Sequence, residues 1–193
     1  MNRATLAIAV LTILTLTAAQ AVAGTITYTE SAVVSGSVGS TTFTDALITL
    51  SLVGDTANVT GGSGFFTNSV GTFTFNIAGV GSGSFTDAMI VFVNQLFVPP
   101  AAGFGDTTVG GSVLDTEDNV FGTYDLKTAI GPITNTPFIR PDLSFGTTLG
   151  ALNIQSSGNS TFTASTVPEP ASLLLLGSGA LGLAGVVRRK LTT

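Results

Sequence analysis

Between residues 24 and 166, apolar side chains recur at every second position, and that spacing points to strands. In Thr72-Phe73-Thr74-Phe75-Asn76-Ile77 the odd positions are apolar and the even ones polar, the pattern of a strand with one face in a core and the other in water. Thr25-Ile26-Thr27-Tyr28-Thr29 and Thr161-Phe162-Thr163-Ala164 repeat it, and Ala46, Ile48, Leu50 and Leu52 share one face of a further run. Met89-Ile90-Val91-Phe92-Val93 is apolar throughout, as a strand covered on both faces must be. It is expected at the centre of a sheet, where Ile90→Asp would abolish folding by burying an unpaired charge. Helical periodicity is missing between residues 24 and 166, apart from a turn expected around Asp125 to Ile130.

Glycine and proline clusters punctuate these runs: Gly61-Gly62-Ser63-Gly64, Gly79-Val80-Gly81-Ser82-Gly83, Pro99-Pro100, Gly103-Phe104-Gly105, Gly110-Gly111 and Gly131-Pro132. Ser156-Ser157-Gly158-Asn159-Ser160 likewise reads as a hairpin turn. Short strands between frequent turn signals predict an all-β fold, an antiparallel β-sandwich, with the jelly roll as its more specific form. Phe43-Thr44-Asp45-Ala46 returns as Phe85-Thr86-Asp87-Ala88. Two readings of that echo stand: a duplicated ligand site on Asp45 and Asp87, or two strand entries whose aspartates bond nearby backbone amides.

Residues 24–166 hold ten acidic side chains against Lys127 and Arg140, a net charge of −8 that repels nucleic acid and anionic lipid. Histidine, cysteine and tryptophan are absent. Without them, most transition-metal sites, Ser-His-Asp and Cys-His nucleophile systems, disulfides and tryptophan sugar platforms are excluded. A glycosidase needs only two carboxylates across a cleft, and nothing in the spacing selects a pair. Tyr124 and Lys127, as an acid/base pair, are expected to point to opposite sides of the chain. The best inorganic site is Asp115, Glu117 and Asp118, a loop that calcium would bind through carboxylate oxygens, with Asp106 and Asp125 joining it. The other reading is a solvated acidic loop. Thr-x-Thr steps at 25/27/29, 42/44, 72/74 and 161/163 would form a flat ice-binding array if aligned, but they lack a regular period. No catalytic residue emerges, and the domain is expected not to be an enzyme.

Both ends carry targeting patterns. Arg3, the apolar stretch from Ala4 to Ala19, and small residues Ala21 and Ala23 before Gly24 form an expected signal peptide, 1–23, removed by signal peptidase. An exported domain is expected over 24–166, and a tail over 167–193. In the tail, Pro168 and Pro170 hold Glu169 extended, because proline fixes φ and restricts the residue before it. The apolar run 171–187 would rise about 25 Å as a helix, slightly under a hydrocarbon core of about 30 Å. Arg188, Arg189 and Lys190 then place the C-terminus in the cytoplasm by the positive-inside rule.

Val167-Pro168-Glu169-Pro170, an apolar helix and Arg188-Arg189-Lys190, in that order, resemble the PEP-CTERM sorting signal, a tail also named after ice-binding proteins. The resemblance covers Val167 to Lys190. It implies transient anchoring in the inner membrane with the domain outside, cleavage near Pro168-Glu169-Pro170 by an exosortase-type protease, and delivery to the cell surface or extracellular matrix. The leading expectation is a structural or interaction domain in contact with exopolysaccharide. A calcium- or glycan-binding module is the alternative, followed by a matrix polysaccharide hydrolase or an ice-binding protein.

Overall fold

The structure, a computed structural model, describes residues 24–166. The expected signal peptide with Ala21 and Ala23, the processing motif from Val167 to Pro170, the span 171–187 and Arg188, Arg189 and Lys190 lie outside the described residues. Among the described residues eleven strands form: β1 Thr25–Val38, β2 Thr41–Asp55, β3 Val59–Gly62, β4 Phe65–Asn68, β5 Phe73–Ile77, β6 Gly81–Ser84, β7 Met89–Asn94, β8 Ala101–Asp106, β9 Gly111–Glu117, β10 Ile130–Asn135 and β11 Leu152–Thr166. They build a six-stranded sheet in the order β10-β11-β1-β2-β5-β6 and a five-stranded sheet in the order β3-β4-β7-β8-β9. Every pairing within both sheets is antiparallel.

The period-two pattern explains the burial. Ile26, Tyr28, Ala32 and Val34 of β1 and Ile48, Leu50 and Leu52 of β2 enter one core with Val91 and Val93 of β7 and Phe104 of β8. Phe73 meets Phe104 edge-on at 6.1 Å between ring centres, which ties the two sheets together. Each fully buried Leu, Ile or Phe contributes about 1.5–3 kcal/mol of transfer free energy.

Several local expectations give way to tertiary pairing. Ser156 to Ser160 is no turn but the middle of β11, where Ala32 faces Ser160 and Val34 faces Ser157, a β-bulge that absorbs one extra residue. Gly103 and Gly105 do not break the chain either. They lie inside buried β8, and a Cβ on Gly103 would come within 2.5 Å of Asp115 Cα, so glycine here permits close strand approach. Gly131 and Pro132 form an irregularity within β10. The helical turn expected around Asp125 to Ile130 falls earlier, as a 3-10 turn at Asn119–Thr123 capped by Asp118. Asp125 instead bends the chain by accepting the Lys127 N–H. β7 is the middle strand of its sheet, as its composition requires. Its alternation still holds: Met89, Val91 and Val93 enter the inter-sheet core, whereas Ile90 is only half-buried, on the outer face. Val91, not Ile90, is the position where a charge has no escape.

Candidate functional site

The outward positions of the six-stranded sheet fall into register as rows of hydroxyl and amide side chains. Thr134, Thr161, Ser31, Thr49, Asn76 and Ser82 stand opposite one another across all six strands. Two residues further along, Thr163, Thr29, Ser51, Thr74 and Ser84 form a second row across five. Neighbours within a row are spaced by the strand separation, about 4.7–4.9 Å, and the rows by two residues, roughly 6.5–7 Å. Thr134 and Thr161 share a hydroxyl hydrogen bond of 2.8 Å, and Asn76 Nδ2 donates to Ser82 Oγ at 2.6 Å. The carboxylates of this sheet are Glu30, which is buried, and Asp45 and Asp55, near opposite ends of β2. The rows between them carry no charge. A shallow cavity of about 410 Å³ opens beside Thr49, Ser51, Thr74, Asn76, Ser82 and Ser84.

Glu30 occupies the opposite environment, fully buried between the sheets. Its Oε1 lies 2.8 Å from Thr116 Oγ1, which lies 2.7 Å from Ser160 Oγ, and the Ser160 hydroxyl donates to Asp115 O at 2.7 Å. Thr116 donates to that Glu30 oxygen, while Glu30 Oε2 is buried without a partner. Burial first, and Asp115 nearby, hold the Glu30 carboxyl well above its usual range against the lowering effect of the Thr116 hydroxyl.

On the outer face of the five-stranded sheet lies a groove of about 450 Å³. Phe65 and Phe92, stacked at 6.4 Å, line it with Ile90, Phe97 and Phe138. Asp115 borders it, accepts the Phe138 N–H at 2.7 Å through Oδ1, and keeps a buried Oδ2 without a partner. Burial pushes the Asp115 carboxyl up to about 7, with the Phe138 amide opposing. Arg140, at the rim, is held by Asp142 at 2.8 Å.

The expected calcium ligands are therefore employed separately. Asp115 is engaged by Phe138, while Asp118 accepts from Val120 N–H and Asn135 Nδ2, which lowers its pKa. Glu117 ends β9 opposite Ala101, Asp106 accepts the N–H groups of Thr108 and Val109, and Asp125 accepts that of Lys127. Among the described residues, no three acidic side chains are grouped to hold a metal ion. The repeated Phe-Thr-Asp-Ala also diverges. Asp45 sits at positive φ where the β1–β2 register shifts, whereas Asp87 accepts the distant Gly146 N–H, a long-range clasp instead of a local one. Tyr124 is buried and Lys127 exposed, so the two form no pair.

β11 runs to Thr166, the last described residue, paired there with Ile26 of β1. The body therefore leads directly, without a linker, into residues that a family model covers: 166–190 match the PEP-CTERM protein-sorting motif. The chain carries that motif as a PEP-CTERM protein does, which marks it as exported and surface-associated and implies processing by an exosortase-type protease. No curated protein and no solved structure matched the chain.

Proposed function

We propose that this is a non-catalytic surface or matrix protein: a β-sandwich body, sorted and cleaved at its PEP-CTERM tail, that contacts uncharged polysaccharide through the outer face of its six-stranded sheet. The observation that carries this reading is the pair of registered hydroxyl rows, uncharged on a domain of net charge −8. A neutral polyhydroxyl chain offers donors and acceptors to such a face without desolvating an ion. A catalytic reading finds little support, because Glu30 is closed off between the sheets and Asp115 Oδ2 is buried.

Co-sedimentation with amorphous cellulose, an insoluble uncharged glucan, tests the reading. Retention that persists in high salt is expected; retention only on acidic polymers, or loss in salt, contradicts it. The same rows favour ice as a second ligand, and thermal hysteresis without glucan retention would select it. The tail is tested separately by Glu169→Gln, which should block removal of the C-terminal segment, read as intact mass, and leave the melting temperature of the body unchanged. Normal trimming of that variant contradicts assignment of Pro168-Glu169-Pro170 as the recognised element.

A further inference from the structure

The connection between β7 and β8 presents Leu96, Phe97 and Val98 to solvent at 70%, 46% and 99% exposure, a contiguous apolar tip. It lies at the end of the body from which the tail departs. Gln95 Nε2 donates to Tyr124 O at 2.8 Å, and the Tyr124 ring packs 6.3 Å from Phe162, four residues before Thr166 on β11. Two more exposed apolar side chains flank the same exit. Val53 faces Thr27, which pairs with Ser165, and Val70 lies beside Gly54, which faces Ile26 and through it Thr166. Lys127, exposed next to Leu126, puts a cation there as well, its loop fixed by the Tyr28 hydroxyl donating to Leu126 O at 2.6 Å.

We propose that this end of the body rests on the bilayer surface before the tail is cut, with Leu96, Phe97 and Val98 dipping into the lipid interface. The inference rests on reading 171–187 as a membrane span. The short connection supplies the argument for lipid as the occupant: five residue steps from Thr166 to Ala171 reach at most about 18 Å even when fully extended. The tail's exit is thereby tethered near the headgroups, and the apolar side chains around it gain a place to leave water. Lys127 adds a favourable contact with lipid phosphate on an otherwise acidic domain.

The chain contains no tryptophan, so single reporters can be introduced without background. Val98→Trp, Leu149→Trp and Leu176→Trp are each made in the full chain and reconstituted into phosphatidylcholine vesicles containing brominated lipid. Leu149 is the control on the body, beside Gly39 of the β1–β2 turn, away from Thr166. The expected result is strong quenching at position 176, a blue shift with partial quenching at 98, and water-like emission at 149. Quenching at 176 with position 98 as water-like as 149 overturns the lipid contact and leaves the span intact. Lack of quenching at 176 removes the span, and the lipid contact with it. A blue shift at 98 without bromine quenching also overturns the proposal, since a second copy or another protein would then cover the tip.

Discussion

The two sheets bury similar residues between them yet turn different faces outward. The six-stranded sheet exposes rows of threonine, serine and asparagine, whereas the five-stranded sheet turns Ile90, Phe92 and Phe65 to its outer face and covers them partly with Phe97 and Phe138. The six-stranded sheet is built around three long strands, β1, β2 and β11, of 14 or 15 residues, flanked by β5, β6 and β10 of 4 to 6, whereas the strands of the other sheet span 4 to 7. A long strand with a polar second face can stand open to water, while a short strand apolar on both faces needs segments folded over it. The six-stranded sheet therefore leaves its outer rows open to solvent, while the outer face of the other sheet carries the aromatic groove.

The largest expected effect separates the inside of the five-stranded sheet from its outside. Val91→Asp places an unpaired carboxylate in the inter-sheet core, at a cost of about 3–5 kcal/mol, comparable with the whole stability of many domains. It should abolish the cooperative thermal transition, whereas Ile90→Asp, at the edge of the groove, should still fold. Equal behaviour of the two variants breaks the assignment of faces.

A smaller effect concerns the hydroxyls that face inward. Glu30 has its folded-state pKa raised above the usual 4.5, so its contribution is fully present below that value and is lost as pH climbs through the folded value. Asp115 acts in the same direction between its usual 3.8 and about 7. Glu30→Gln should flatten the fall in melting temperature as pH rises above the usual carboxylate value of 4.5, leaving the slope due to Asp115 up to about pH 7. A melting profile with the same pH slope as the parent chain contradicts a raised Glu30 pKa.

Alternation in the sequence was sufficient to place the core of β1, β2 and β5, because a strand's faces are a local property. The burial of Glu30, in phase with Ile26 and Tyr28 on β1, was not anticipated, since glutamate is mostly exposed. What stayed hidden depends on partners distant in sequence. Thr134, Ser31 and Asn76 show no regular spacing along the chain, and only the pairing of six strands brings them into one row. The same applies to Ser156 to Ser160, whose composition signals a turn until β1 supplies hydrogen bonds along its side, and to Gly103, whose missing side chain matters only because β9 lies against it. The acidic run at 115–118 looked like one site, yet strand and cap geometry send its members to different tasks.

The central claim is that the uncharged hydroxyl rows hold polysaccharide. The direct test compares two variants on amorphous cellulose: Ser31→Ala with Thr49→Val and Thr74→Val on the hydroxyl face, and Phe92→Leu in the groove. The three hydroxyl replacements are outward, so the melting temperature should barely move, with changes within about 0.5 kcal/mol each. Retention by the first variant should fall roughly tenfold or more, the loss of three hydrogen bonds of about 0.5–1.5 kcal/mol, while the groove variant binds as the parent does. Unchanged retention by the hydroxyl variant, or loss confined to Phe92→Leu, would contradict the account.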